Sequence, residues 1–477
     1  MAPLAASLLL LTAPRADEAH EGLGVRHQPA DTGRNPDRTS PPPDILSRLC
    51  QPRLAIFITL AVVLAALPLA VVRAVTNQGC DYLDFINSAL FISEYGFRHP
   101  YTALNRYLPS VDVAFLAFTL LPVWLGAAIY YLLNVGSWFA LLSTVRHGLL
   151  PASDPRDAAR GTMAAGLLAL AIAADGFLIG AFHVAMVWLM VAGLVQASRG
   201  RHWRGGLLLG CAVWLKLLPV IGIGYLLLKR KWQPALIATL LVIAIDITLC
   251  LPAFGVKQSW QEHAAFFHTG AMGTVNDQMH GESWVDEDRI TNQSTLVFMR
   301  RLLTTRGGFP EMAVADLSPQ ALSIASAAIL GMLAAAMIVV LRRPASALSP
   351  ADWGAEIALL LLCTVWFSPV VWSYHLTAVV PALAVIMSQA RFEISKHAVA
   401  LVWIVGLALF TVPLARAAGH MLWSSYLVGA VLLWTMARNR ATANEPRTIR
   451  NAVFGLLRRW TNQLPSGGFA TSGNSGA

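Results

Sequence analysis

A pair of carboxylates is the first group of side chains in this sequence that could do chemistry. Asp81 and Asp84 lie three residues apart in the segment that follows the first apolar stretch. Residues at this spacing share one face of a helix, and Asp84–Tyr95 mixes apolar and polar side chains as an interfacial helix does. A carboxylate here could serve as a general base towards a hydroxyl group, or could bind a cation. The alternative is a solvated helix start with Asp81 near its N-cap.

A single lysine interrupts an apolar segment later in the chain. Lys216 lies inside residues 206–228, and Pro219 follows it three positions later. An ionisable side chain at membrane depth is costly and is expected to face an anionic partner. A phosphate group carried by a lipid would fit this place. The alternative is that the long side chain extends to the membrane surface while its stem stays in the apolar layer.

A histidine with aromatic neighbours lies at the end of another apolar stretch. His375 follows Trp372 and Tyr374 closely. The imidazole could bind a phosphate or carry a proton, although a lone histidine is more often structural. Aromatic residues at this position indicate by themselves only ordinary anchors at the membrane interface.

Two amides precede a further apolar stretch. Asn292 and Gln293, followed by Ser294, form a weak acceptor motif for N-glycosylation. As hydrogen-bonding groups they could instead lie beside a bound sugar. The sequence alone leaves both interpretations open.

The elements that carry these residues are predicted to be membrane helices. The chain has 477 residues, of which 56% are hydrophobic and 13% charged, and its mean hydropathy is +0.57. A soluble globular chain has roughly 45–50% apolar and about 25% charged residues. Apolar runs long enough to cross a ~30 Å hydrocarbon layer recur between Leu54 and Met436. This composition excludes a soluble enzyme, a disordered protein, a coiled coil and a disulfide scaffold, and predicts an all-α polytopic membrane protein.

The positive charge of the chain lies in loops between the apolar stretches. The net charge is +9, and its distribution follows the positive-inside rule rather than the pattern of a nucleic-acid-binding surface. We therefore expect these loops and both termini in the cytoplasm, with Asp81, His375 and Asn292 on the outer side of the plasma or inner membrane. The basic residues are Arg146, Arg156, Arg160, Arg199, Arg201, Arg204, Lys229, Arg230, Lys231, Arg342, Arg343, Arg391, Lys396, Arg438 and Arg440.

The expected architecture has about twelve transmembrane or re-entrant helices, with outer-side loops and an interfacial helix. Pro122 divides the long apolar stretch Val111–Val145 into a shallow helix and a full span. Lys216 and Pro219 divide residues 206–228 into two short helices that enter and leave from the cytoplasmic face. The predicted regions are a disordered cytoplasmic tail (1–50), a membrane domain (51–440) with outer loops at 76–110 and 252–319, and a second cytoplasmic tail (441–477).

The sequence contains no nucleotide-binding fingerprint. There is no glycine-rich loop after a strand and no Walker-type lysine motif. The five cysteines show neither a metal-ligand spacing nor a paired framework. We therefore expect no cofactor and no metal requirement, and a sugar donor, if there is one, that is lipid-linked and taken from the membrane.

Six short motifs occur in order between Asp81 and Pro381. They resemble those of glycosyltransferase family 87, integral-membrane enzymes of the GT-C type that use polyprenyl-phosphate sugars, chiefly polyprenyl-phosphate mannose. The matching residues are Asp81-Tyr82…Phe85…Ser88-Ala89…Gly96…Pro100-Tyr101, Tyr107-Leu108-Pro109, Trp124…Leu133-Asn134, Lys216-Leu217-Leu218-Pro219, Asn292-Gln293-Ser294 and Ser368-Pro369…Trp372…His375.

Three positions depart from the family's pattern. Leu108 replaces a proline, and Tyr374 stands where the family often has a first histidine. The family's Gly-Gln-x-Asn element reads Gly180-Ala181-Phe182-His183 in this chain. The fold and the reaction class follow from the resemblance, whereas the donor sugar and the acceptor do not.

The resemblance implies an inverting sugar transfer with an aspartate as general base. Asp81 aligns best with the family's aspartate, and Asp84 is the near alternative. Lys216 and His375 would hold the phosphate of a polyprenyl-phosphate sugar. Apart from the resemblance, we expect a glycolipid or polysaccharide as acceptor, with a protein as the alternative, and membrane lipids as further partners. The expected substrate-binding residues are Tyr101, Tyr107, Asn292, Gln293, Trp372 and Tyr374.

Two other classes of protein would also fit the composition. A lipid or solute transporter or flippase suits twelve spans with buried charges, but it predicts internal repeats and discontinuous helices in both halves. No clear repeat is present in the sequence, and the polar residues concentrate in the outer loops. An oligosaccharide polymerase or ligase of the same broad shape shares the large outer loops.

Overall fold

The structure is a computed structural model that describes residues 52–76, 81–98, 107–150, 153–268, 291–305, 310–388 and 393–442. Within these ranges the regular structure is helical, with no strand, so the prediction of an all-α protein is confirmed. The predicted tails lie outside the described residues, except for the end of the last helix. Tyr101 also lies outside them.

Nine helices lie between Pro52 and Ala265 in the part of the chain that the structure describes. Short 3-10 or π turns extend two of them, at Phe115–Leu120 and Val145–Leu149. In chain order the helices are α1 (Pro52–Val75), α2 (Asp81–Tyr95), α3 (Pro109–Ala114), α4 (Val123–Thr144), α5 (Pro155–Ile179), α6 (His183–Ser198), α7 (His202–Leu215), α8 (Val220–Leu228) and α9 (Trp232–Ala265).

The second half continues with helices of mixed length. A 3-10 turn, Ser373–Val379, precedes one of them and carries the predicted histidine. The helices are α10 (Thr295–Leu303), α11 (Pro319–Leu341), α12 (Pro350–Trp366), α13 (Val380–Met387), α14 (Glu393–Leu409), α15 (Pro413–Ala417) and α16 (His420–Thr442).

Several of these helices are long and apolar enough to cross a membrane. Shorter apolar helices lie among them, so the protein is a multi-pass membrane protein, and the count of about twelve membrane helices stays a prediction. Among the described residues the six long candidates are Arg53–Val75, Val123–Leu149, Pro155–Ile179, Trp232–His268, Pro319–Leu341 and His420–Ala437.

Two predicted breaks in long apolar stretches are confirmed. Leu121 is extended, with φ −105° and ψ 148°, between the 3-10 turn after α3 and the start of α4. Lys216 is extended as well, with φ −157° and ψ 132°, between α7 and α8. Leu121 directly precedes Pro122, and the residue before a proline disfavours the helical region. Pro219 is the N-cap of α8, three residues after Lys216, where its missing N–H costs no helical hydrogen bond.

The ninth helix differs from its prediction. The sequence indicated an outer loop over 252–319, but α9 continues to Ala265. Its path breaks at Gly255, which has φ +69° and ψ 172°. This region of backbone space is open essentially to glycine alone. The glycine therefore turns the chain between two helical segments rather than starting a loop, and α10 lies in the same predicted loop.

An aromatic cluster supports the first turn of α2. Tyr82 and Phe85 pack against Phe115, with the Phe85 and Phe115 rings stacked at 4.6 Å between centroids. Phe182, just before α6, lies 5.2 Å from the Phe85 ring. Gly126 of α4 leaves room for the Tyr82 hydroxyl, where any Cβ would collide with it. Because offset and edge-to-face aromatic pairs have preferred geometries, the cluster fixes where α2 begins.

We expect Gly255→Ala to destabilise the protein, because a Cβ there would be strained by about 1–3 kcal/mol at this φ and ψ. Among the described residues no atom lies within 4 Å of that Cβ, so backbone strain is the expected cost. The matched control is Gly331→Ala in α11, which also has open space around its Cβ and no positive φ. Thermal unfolding in detergent should show a lower midpoint for the first variant and an equal or higher one for the control. Equal midpoints for both would contradict the assigned role of Gly255.

Candidate active site

The predicted phosphate ligands meet in the structure. The Nζ atom of Lys216 lies 2.6 Å from Nε2 of His375, although 159 residues separate them in the chain. Lys216 projects from the break after α7, and its N–H still bonds the carbonyl of Ala212 at 3.1 Å. The ammonium also lies 5.8 Å from the centroid of the Tyr107 ring. The predicted pairing of these two residues in one site is thus supported by the fold.

The orientation of the His375 ring follows from its hydrogen bonds. The N–H of Trp372 donates to Nδ1 at 2.9 Å, so a neutral ring carries its proton on Nε2. His183 donates from Nε2 to the carbonyl of His375 at 2.9 Å, and the two rings lie 4.6 Å apart. The Nε2 proton of His375 and the ammonium of Lys216 are then two hydrogen-bond donors that lie side by side. Two such donors suit an oxyanion that accepts from both.

Asp81 is the first residue of α2 and lies near this pair. It is half-buried, whereas Asp84 is exposed. Burial raises the pKa of Asp81 to about 7, against the opposing charge of Lys216, and the charges of Asp84 and Asp175 raise it further. A carboxylate whose pKa lies near neutral pH is matched to accept a proton at that pH. The charge of Lys216 acts on the pKa of Asp81, whereas the pKa of Asp84 is raised by burial alone, so Asp81 is favoured over Asp84 as the partner of the lysine.

A second carboxylate, Asp175, belongs to the same site and was not predicted. It lies four residues before the end of α5 and accepts a hydrogen bond from the Ser373 hydroxyl. Its charge reaches Asp81. The signal that could have found it is the one used for Lys216, an ionisable side chain inside an apolar run.

The two predicted amides bond to backbone beside the site. Asn292 and Gln293 are completely buried. The Asn292 Oδ1 accepts from the N–H of Val371 at 3.0 Å, and the N–H of Gln293 donates to the carbonyl of Val371 at 2.8 Å. The side chain of Gln293 donates to the carbonyl of Arg416 at 2.9 Å. These bonds hold the chain just before Trp372, and a contact of the amides with substrate stays a prediction.

The predicted aromatic residues take different places. Tyr107 lies edge-on to Phe85 at 4.8 Å and faces the lysine ammonium. Tyr374 is buried, 4.6 Å from the ring of His375, and Trp372 is partly exposed. Contacts of these three side chains with a substrate also stay predictions.

Comparison with known proteins identifies the family. Residues 106–369, more than half of the chain, match the model of glycosyltransferase family 87. The chain belongs to glycosyltransferase family 87. The predicted enzyme class, a membrane glycosyltransferase that depends on a polyprenyl-phosphate sugar, is confirmed. Lys216 and Asn292 lie inside the matched range, whereas Asp81 lies 25 residues before it and His375 six residues after it.

Two individual proteins are similar to this chain. A polyprenol-phosphate-mannose-dependent alpha-(1-2)-phosphatidylinositol mannoside mannosyltransferase of Mycolicibacterium smegmatis is 26% identical over 377 residues, which cover 74% of this chain and 78% of the relative. The crystal structure of ArnT from Cupriavidus metallidurans bound to undecaprenyl phosphate aligns with a TM-score of 0.34 and 16% identity. That alignment covers 81% of this chain and 77% of ArnT.

The pKa of Asp81 leads to a prediction about pH. If Asp81 must be ionised to accept a proton, kcat/KM should fall about tenfold per pH unit below an apparent pKa of about 7 and level off above it. Asp175→Asn should move this acid limb to lower pH, because it removes a negative charge that raises the pKa of Asp81. The measurement is the rate of sugar transfer against pH in detergent-solubilised enzyme.

A matched control lies on the same helix. Asp157 is in the first turn of α5, about 27 Å from Asp175 at 1.5 Å per residue. Asp157→Asn should leave the pH profile unchanged. An acid limb that stays in place in Asp175→Asn would contradict the electrostatic link between Asp175 and Asp81.

Proposed function

We propose that this enzyme transfers mannose from a polyprenyl-phosphate carrier to a glycolipid or polysaccharide acceptor, with inversion at the anomeric carbon. Mannose and its polyprenol-phosphate carrier are named in the description of the mycobacterial relative. The observation that carries the proposal is the convergence of Asp81, Lys216 and His375 from three separate segments. One carboxylate beside two proton donors is the set of groups that this reaction requires.

The lysine and the histidine act on the leaving group. An oxygen of the donor phosphate accepts from the Lys216 ammonium and from the Nε2 proton of His375. Both donors stand in place before the reaction, so little reorganisation is needed as negative charge grows on the phosphate. Fixed donors aimed at developing charge are usually the largest single contribution to catalysis.

Asp81 acts on the acceptor. Its carboxylate takes the proton of an acceptor hydroxyl while that oxygen attacks the anomeric carbon from the face opposite the phosphate. The new bond joins the acceptor oxygen to the sugar, the bond to the phosphate oxygen breaks, and the phosphate leaves with its electron pair. A phosphate is a good leaving group, so no second carboxylate is needed as general acid, unlike in glycoside hydrolysis.

The proposed site faces the outside of the cell. The basic loops support this orientation, because Lys and Arg accumulate on the cytoplasmic side. Residues 51–440 then form the membrane domain, with residues 1–50 and 441–477 as cytoplasmic tails. Asp81 follows the first span and so comes to the outer surface.

Replacing the base tests the proposal most directly. Asp81→Asn should lower the transfer of sugar from polyprenyl-phosphate mannose by about 10²–10⁴-fold, the usual contribution of a general base. The matched variant is Asp84→Asn, three residues later on the same helix, whose side chain is exposed and which should retain most activity. The measurement is transfer of radiolabelled sugar in membranes that contain equal amounts of each variant. Loss of activity in Asp84→Asn alone would assign the base to Asp84.

Replacing the lysine tests the phosphate site. Lys216→Met should lower kcat by about 10²–10³-fold, as the loss of one donor to a developing oxyanion does. Lys257→Met removes an exposed lysine of α9 and serves as the control, with kcat expected to stay unchanged. Steady-state kinetics with the purified donor would measure both. A Lys216→Met enzyme with normal kcat and KM would remove the lysine from the reaction.

A further inference from the structure

Three side chains of α9 form a cluster apart from Lys216 and His375. Asp246, Cys250 and His263 each offer one ligand atom, and these atoms lie within 4.8 Å of one another. They supply a carboxylate oxygen, a sulfur and an imidazole nitrogen, the three ligand types that zinc accepts in proteins. The cluster is partly open, because the side chains of His263 and Asp246 are 21% and 15% exposed.

The turn of the chain at Gly255 brings this cluster together. Asp246 and Cys250 are four residues apart and share one face of a helix. His263 is seventeen residues after Asp246, which would place it about 26 Å away along a straight helix. The positive φ of Gly255 sends the second segment of α9 in another direction, so that His263 reaches the carboxylate.

The histidine is oriented as a metal ligand is. Its Nδ1 lies 2.6 Å from the carbonyl of Ser259 and donates to it. Nε2 is turned to the carboxylate of Asp246 and is in contact with it, so a neutral ring needs a cation between its Nε2 lone pair and that carboxylate. The Cys250 sulfur lies 3.7 Å from the other carboxylate oxygen. A backbone carbonyl on one imidazole nitrogen, with the other turned to the metal, is the usual outer-shell arrangement of metal-binding histidines.

We propose that Asp246, Cys250 and His263 bind a zinc ion. The ligand atoms are a carboxylate oxygen of Asp246, the Cys250 thiolate and Nε2 of His263, and a water molecule completes the tetrahedral shell. Binding releases the thiol proton of Cys250, since the thiolate is the metal-binding form. Mixed nitrogen, oxygen and sulfur sets with a borderline-soft donor favour zinc over magnesium or calcium.

The ion would hold together elements that position the active site. Asp246 also accepts a hydrogen bond from Ser110 of α3, and the Ser110 oxygen accepts from Nε1 of Trp214 at 3.0 Å. Trp214 lies two residues before Lys216, near the end of α7. A metal on Asp246 would therefore fix the turn of α9 and the anchor of α7. The proposed sugar transfer needs no metal, so this role is structural and independent of the proposed function.

The competing account is an Asp246–His263 ion pair with a bystander cysteine. The two accounts differ in whether the sulfur is a ligand and in whether an ion is present. An ion pair requires a protonated imidazole and leaves Cys250 with its thiol proton. A zinc site requires a neutral imidazole and a thiolate, which spectroscopy separates.

Metal analysis of the purified full-length protein is the first test. After removal of metals with a chelator, incubation with zinc and removal of the excess, the protein should hold equimolar zinc. His263→Gln and Asp246→Asn should lose this zinc to background level while eluting as a single folded species in detergent. A wild-type protein that retains no zinc, or variants that retain as much as wild type, would overturn the proposal.

Cobalt substitution tests the sulfur separately. The Co²⁺-loaded protein should show the near-ultraviolet charge-transfer absorption of a thiolate bound to cobalt. Cys250→Ser should abolish this absorption, and Cys211→Ser, which replaces a free cysteine of α7, should leave it intact. Absorption that survives in Cys250→Ser, or that is lacking in wild type, would favour the ion pair.

Discussion

The site depends on one constraint, a positive charge held at a break inside an apolar part of the chain. Removing an ammonium group from water costs several kcal/mol unless it is paired and hydrogen-bonded. Lys216 meets this need with the ring of Tyr107 and with the negative charge of Asp81 nearby, and its Nζ lies beside Nε2 of His375, where one anion can accept from both groups. Tyr107, Asp81 and His375 come from three distant segments. The position of Lys216 therefore requires the start of α2 and the turn before α13 to lie beside it.

The turn that carries His375 is held in place by bonds from outside it. Asn292 and Gln293 bond the backbone of Val371, and Asp175 accepts from the Ser373 hydroxyl. His183 donates to the carbonyl of His375 itself. A 3-10 turn has poorer internal hydrogen bonds than an α-helix, so these bonds supply the rigidity that the turn lacks. The imidazole is thereby held in one orientation, which suits the proposed role of His375 towards a phosphate.

The sequence predicted those structural features whose physical cause lies in neighbouring residues of the chain. Leu121 is extended directly before Pro122, because the residue before a proline disfavours the helical region, and Pro219 is the N-cap from which α8 starts. The cost of a charge in an apolar run identified Lys216, and the order of the motifs pointed to Asp81 and His375. The same rule would identify Asp175, which lies inside a membrane span but was not predicted. The backbone contacts of the buried amides could not be predicted, since they depend on which segments pack together.

The cluster of three side chains in α9 could not be predicted from a single sequence. Asp246 and Cys250, four residues apart, match no zinc motif. His263 follows seventeen residues after Asp246 and becomes its neighbour only through the turn at Gly255. The glycine was visible in the sequence, but its positive φ was not. Ser110 then links this turn to Trp214, so α7 is anchored near its end on both sides, by Asp246 through Ser110 and by His375 at Lys216. Lys216, the extended residue between α7 and α8, can therefore keep one position, because contacts at Trp214 and at His375 hold the chain around it.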